Sequence, residues 1–165
     1  MLALKTIRQP WIALGTMDAT AGAADATLAV GERRLSDVSS LDNVVYKEVP
    51  LGLSVVELRF KGTTNNHDYI ADLWVGRLDN GKATLTRACT LTLKCGQQTS
   101  LIATDLLIDT ITVSNEIWNK ALVPTDTGTD VEARLLFDMC GYDLILLHGH
   151  TTFDSDLKVE LSGYH

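Results

Sequence analysis

Residues 68–95, DYIADLWVGRLDNGKATLTRACTLTLKC, decide the fold class. Asn80-Gly81 lies between two β-patterned runs. Asn-Gly is the dipeptide best able to hold two successive residues at positive φ, which a two-residue type I′ hairpin turn requires. That turn fixes a register: Asp79 opposite Lys82, Gly76 opposite Leu85 and Trp74 opposite Arg87. The first pair is of opposite charge. The last allows a guanidinium to stack on an indole, worth ~0.5–1 kcal/mol at a surface. Along the second arm, strict alternation puts Leu85, Cys89, Leu91, Leu93 and Cys95 on one face. Thr84, Thr86, Thr90, Thr92 and Lys94 fall on the other, and Arg87 stands out as a charge on the apolar face.

The same period of two extends outward from the hairpin. Val56, Leu58 and Phe60 alternate with Val55, Glu57 and Arg59, and a loop follows over residues 61–66. On the C-terminal side, residues 96–99 read as a loop, Thr110 to Val113 as a short strand, and Pro124 to Asp130 as a loop without apolar content. Val131, Ala133, Leu135, Phe137 and Met139 then alternate with polar residues up to a turn at Cys140 to Asp143. Leu144 to Leu147 is a continuous apolar run, as expected of a central strand covered on both faces. Leu157, Val159 and Leu161 alternate with Lys158 and Glu160 in a last strand. About seven to nine short strands joined by Gly, Asn, Asp and Thr turns predict an all-β chain, a β-sandwich or jelly roll.

Residues 1–42 are set apart from this body, which is taken as 43–165. Thr16 to Ala29 is mostly Ala, Gly, Thr and Asp, with little to bury. The stretch reads as an extended N-terminal arm ordered by contact with neighbours, or else as an irregular first strand with loops; a short helix around 33–42 fits either. Trp11, Ile12 and Leu14 are the apolar residues of the arm and its candidate partner-binding residues.

Composition narrows the function. The chain has 165 residues, 21 of them acidic and 14 basic, for a net charge of −7. That balance disfavours nucleic acid as a partner, since neutralising phosphates takes clustered Lys and Arg. No apolar run approaches the ~20 residues of a membrane helix. The apolar stretch at Trp11 to Leu14 is shorter than the ~7–15 residues of a signal-peptide core, so no secretory signal is expected and synthesis is expected in the cytoplasm. Three cysteines, Cys89, Cys95 and Cys140, do not make a disulfide framework and are expected as reduced thiols.

Chemical motifs are sparse. His148-Gly149-His150 puts two imidazoles on one strand face, but a metal site needs three or four ligands. His67, Asp154 and Asp156 are the candidates to complete it, and nothing in the sequence brings them near. The acidic loops at 126–130 and 154–156 do not match the twelve-residue EF-hand pattern. No phosphate loop, G-x-S-x-G elbow or H-E-x-x-H helix occurs, and Cys140 near His148 reads as a turn residue before a nucleophile. No catalytic, cofactor-binding or metal-binding residue is assigned, and the chain is expected not to be an enzyme.

Three segments carry a resemblance: Ala71-Asp72-Leu73-Trp74-Val75-Gly76-Arg77 with the hairpin and Thr90 to Leu93 after it; Asp109 to Asn115 with Trp118; and Ala133 to Asp143. In this order, over roughly residues 70–150, they resemble small structural proteins of tailed-bacteriophage virions. The resemblance implies a virion component made in the host cytoplasm. Its first form is a capsid decoration (cement) protein that binds the major capsid protein or other virion proteins as a homo-oligomer, with a trimer as the first guess. The alternatives are a head-to-tail or tail component, or a β-sandwich module that binds a carbohydrate or a receptor. The shared motifs are packing motifs. They make Trp74, Phe137 and Tyr142 core or hairpin-locking aromatics, and they transfer no functional residue.

Overall fold

In the computed structural model the described residues are 9–17, 31–39, 43–50, 53–62, 67–95, 100–104, 131–139, 141–149 and 157–164. They form ten strands and one short helix: β1 (Ile12–Met17), β2 (Gly31–Arg34), α1 (Leu35–Ser39), β3 (Val44–Glu48), β4 (Val55–Gly62), β5 (His67–Asp79), β6 (Lys82–Cys95), β7 (Ser100–Thr104), β8 (Val131–Asp138), β9 (Leu144–Gly149) and β10 (Leu157–Tyr164). All strand pairs are antiparallel. The small sheet has the order β1-β10-β4-β8, and the large sheet β2-β6-β5-β9-β3, with β7 also pairing β6. The chain is all-β, as the periodicity predicts.

Apolar faces of the two sheets meet in one core. Val56, Leu58, Phe60, Leu135, Leu157, Val159 and Leu161 come from the small sheet, and Tyr69, Leu73, Val75, Cys89, Leu91, Leu93, Ile145 and Leu147 from the large one. Burying each large side chain contributes about 1.5–3 kcal/mol relative to leaving it in water. The edge strands β1 and β3 approach so closely that a Cβ on Gly15 would lie 2.6 Å from Val45 Cγ1.

The hairpin turns where Asn-Gly requires. Asn80 and Gly81 have φ of 49° and 78°, and the three expected pairs, Asp79 with Lys82, Gly76 with Leu85 and Trp74 with Arg87, are all present. The alternation of β6 is not continuous, however. The β5–β6 register shifts between Leu73 and Trp74, so that Leu73 faces Cys89 while Trp74 faces Arg87. Ala88 is the extra residue, and one extra residue exchanges the two faces of a strand. Leu85 therefore does not share a face with Cys89. It packs with Trp74, Ala83, Leu144 and Leu146 in a second cluster, while Cys89 and Ala88 belong to the main core. Arg87 ceases to be an exception: it lies on the side of Leu85, away from the main core. The Lys82 ammonium bonds Glu32 of β2 at 2.8 Å.

The second cluster shows why β9 is apolar without interruption. Ile145 and Leu147 face the main core, Leu144 and Leu146 the other side, and all four are fully buried. β2 and β3 are the opposite edges of the large sheet, four strand spacings or about 19 Å apart. Leu35, the first residue of α1, packs against the second cluster. Of the helix expected around 33–42, residues 33–34 instead belong to β2, which pairs with β6, the described helix is Leu35–Ser39, and residues 40–42 lie outside the described residues.

The N-terminal arm is corrected over the part described. Ile12–Met17 is an integral strand of the small sheet, with Ile12 opposite Leu161 and Met17 opposite Leu157. Leu14 and Met17 are buried in the main core. The small residues after Met17 hid this pattern, because only three apolar side chains of β1 reach inward and a register shift between Ala13 and Gly15 interrupts their spacing. β1 and β2 each add to a sheet, β1 beside β10 and β2 beside β6. Lys61 and Gly62, expected in the loop at 61–66, instead extend β4, paired on both sides; the rest of that loop, the strand expected at Thr110 to Val113, the loops at 96–99, 124–130 and 154–156, and Cys140 and Trp118 lie outside the described residues. No helix among the described residues is long and apolar enough to cross a membrane.

Candidate docking face

The outer face of the small sheet is built around Trp11. Just before β1 the chain is tied to β10: the Gln9 amide donates to the Gly163 carbonyl at 2.9 Å, and the buried Ser162 hydroxyl donates to the Gln9 carbonyl at 2.6 Å. This anchor sets the half-buried Trp11 beside β4 and β8, whose outward positions carry Arg59 and Arg134. Their guanidinium carbons lie 4.1 Å and 5.7 Å from the indole centroid.

The guanidinium over Trp11 is itself fixed. Arg59 Nε donates to Glu160 Oε2 at 2.7 Å, and Lys61 Nζ reaches the same oxygen at 3.0 Å. Partial burial raises the Glu160 carboxyl pKa, but the hydrogen bonds and positive charges of Arg59 and Lys61 outweigh it and hold the group below its ordinary value. Glu57 is buried on the same face and meets Arg134 at 3.7 Å. A buried carboxylate is costly unless paired, so Arg134 serves the fold as well as the surface.

Of the three residues expected to bind a partner, Trp11 lies on this face, Ile12 is half-buried against the main core, and Leu14 is 7% exposed inside it. Leu14 is corrected from a partner contact to a core residue, because β1 is a sheet strand. Arg59 and Arg134 escaped sequence reading. Each looked like the solvated half of an alternating strand, and only the register that sets them opposite each other brings them to Trp11.

The outer face of the large sheet holds a second polar group. Thr90 donates to Asp72 Oδ1 at 2.7 Å, and Arg87 Nη1 stands 3.9 Å from the same oxygen. Asp72 is buried. Arg87 turns to Asp72 instead of stacking on Trp74 as the register allowed; among the described residues the guanidinium–aromatic contacts are at Trp11 and at Tyr142, which Arg77 approaches at 5.6 Å. Trp74 lies in the second cluster, its buried Nε1 without a hydrogen-bond partner. Tyr142 packs against the main core, and the side chain of Phe137 lies outside the description.

Burial pushes the Cys89 thiol up to about 12, helped by the charge of Asp72 and opposed by Arg87. His148 is half-buried on β9, in register with Asp72 and Val44. His150, Asp154 and Asp156 lie outside the described residues, as does the side chain of His67. Among the described residues no three His, Cys, Asp or Glu side chains gather as metal ligands.

Comparison with protein-family models, with curated proteins and with solved structures finds no match to this chain.

Proposed function

We propose that this chain is a structural protein of a tailed-bacteriophage particle, made in the host cytoplasm, which stabilises the shell by protein–protein contact and performs no catalysis. One observation carries the docking part of this reading: Trp11 is held on a sheet face between Arg59 and Arg134. Trp and Arg are the side chains most enriched at the energetic centres of protein interfaces, because each contributes a large flat contact at modest entropy cost. Here the rotamer of Arg59 is already fixed by Glu160, so little freedom is lost on docking. The phage assignment rests on the sequence resemblance over roughly residues 70–150, with the major capsid protein as first partner and a trimer as first oligomer.

Co-sedimentation with phage particles tests it. Added to particles lacking the chain, the protein is expected to pellet with them and raise their resistance to heat, and Trp11→Ala is expected to weaken that binding. A protein that stays in the supernatant at saturating particle concentration contradicts the virion assignment.

A further inference from the structure

We propose that Asn80-Gly81 is a self-modifying site: in the folded chain Asn80 deamidates through a succinimide to aspartate and isoaspartate, and the isoaspartate form frees the start of α1 from the hairpin.

The turn supplies both reacting groups. Of the six asparagines, Asn80 alone precedes a glycine; Asn43, Asn65, Asn66, Asn115 and Asn119 precede Val44, Asn66, His67, Glu116 and Lys120. Asn80 and Gly81 are exposed, at φ of 49° and 78°. The β5–β6 ladder ends at the pair Asp79 and Lys82. The Gly81 amide therefore lies beyond the last ladder position of a two-residue turn. Among the described residues no hydrogen bond holds the Asn80 side chain. A Cβ on Gly81 would meet nothing within 4 Å, so no neighbour crowds its nitrogen. Local opening costs least at such an exposed loop tip.

The reaction needs only water. The deprotonated Gly81 nitrogen attacks Asn80 Cγ. The N–Cγ bond forms, the Cγ–Nδ2 bond breaks, and ammonia leaves with the proton lost from the Gly81 amide. Water then opens the ring. Addition at Cγ restores the main chain and leaves an aspartate. Addition at the main-chain carbonyl of residue 80 leaves an isoaspartate, whose main chain runs through Cβ and Cγ.

The two products act differently on the fold. Asp-Gly suits a type I′ turn as Asn-Gly does. Isoaspartate lengthens the main chain by one carbon inside a turn whose length fixes the register. The carbonyl of Gly81 carries this change to a second element. It accepts the amide of Leu35, the first residue of α1, at 3.2 Å. Leu35 in turn packs against the cluster of Trp74, Ala83, Leu85, Leu144 and Leu146. A displaced Gly81 carbonyl drops the Leu35 amide and loosens α1 beside that cluster. The turn lies on the large sheet, so the Trp11 face is untouched.

Incubating the full chain in mildly alkaline native buffer tests the proposal, with the urea-unfolded chain as reference. Peptide mass spectrometry is expected to find conversion at Asn80 ahead of the other five asparagines, with isoaspartate among the products. Isoelectric focusing is expected to show a band more acidic by one charge. In the separated isoaspartate form, hydrogen exchange followed by NMR is expected to show loss of protection at the Leu35 amide. Freshly purified Asn80→Asp, which has the charge without the extra main-chain carbon, is expected to keep it. An Asn80 that stays intact in native buffer while the unfolded chain converts overturns the proposal. So does unchanged Leu35 protection in the isoaspartate form, or equal loss of it in Asn80→Asp.

Discussion

The guanidinium of Arg59 lies 4.1 Å from the ring centroid of Trp11 while its Nε holds Glu160 Oε2 at 2.7 Å, so one side chain joins the segment before β1 to both β4 and β10. Removing the ring tests this link. Trp11→Ala is expected to cost about 1 kcal/mol of unfolding free energy from the lost cation–π contact, and more as its buried area is lost. Urea titration measures it, and an unchanged midpoint contradicts the arrangement.

Glu160 gives the small sheet a dependence on acid. Its folded-state pKa is depressed, so its contribution is complete above the unfolded value near 4.5 and is lost as pH falls through the lower folded value. The stability gap between the parent chain and Glu160→Gln is therefore expected to be constant near neutrality and to close as pH falls below 4.5 and through the lower folded-state value. Melting curves at a series of pH values check this, and a gap that widens on acidification contradicts it.

The Asn80-Gly81 turn separates backbone strain from crowding. Gly81 has φ of 78°, yet a Cβ there would meet nothing within 4 Å. Gly81→Val is expected to destabilise by about 1 kcal/mol or more through the backbone alone, because a β-branched residue resists positive φ. Gly15→Ala has the opposite cause: its Cβ would run into Val45, an overpacking cost of about 1–3 kcal/mol. Thermal melts of both variants distinguish a strained turn from a crowded core.

Cys89 should be silent in the native state. A thiol pKa pushed up to about 12 leaves almost no thiolate near neutral pH, and the residue is fully buried. Alkylation resolved by peptide mass spectrometry is expected to modify Cys89 only as fast as the protein unfolds. Rapid labelling of Cys89 in native buffer contradicts its place in the core.

Deleting residues 1–17 distinguishes an arm from a strand. The deletion removes Leu14 and Met17 from the core and uncovers the edge of β10. It is expected to lower the melting temperature strongly or prevent folding. A truncated chain with native stability contradicts the strand reading.

Most of the fold was legible because antiparallel strands with one buried face write their geometry as alternation. The Asn80-Gly81 turn, its three cross-strand pairs and the two-sided burial of β9 all follow from residue order. Alternation misled at Ala88, since a bulge is a property of pairing and leaves no mark on composition. It failed at β1, where the register shift between Ala13 and Gly15 and the close approach to Val45 favour small residues that resemble a linker. The candidate face was half legible. Trp11 stood out as an apolar residue among polar ones, but Arg59, Arg134 and Glu160 come from three strands far apart in sequence.

Hydrogen exchange of the protein alone and bound to phage particles tests the central claim, that partners meet the Trp11 face of the small sheet. The account predicts added protection over residues 9–17, 55–62, 131–138 and 157–164, and little change at the Asn80-Gly81 hairpin or along β9. Protection confined to the hairpin and β9, with the small sheet unchanged, would contradict it.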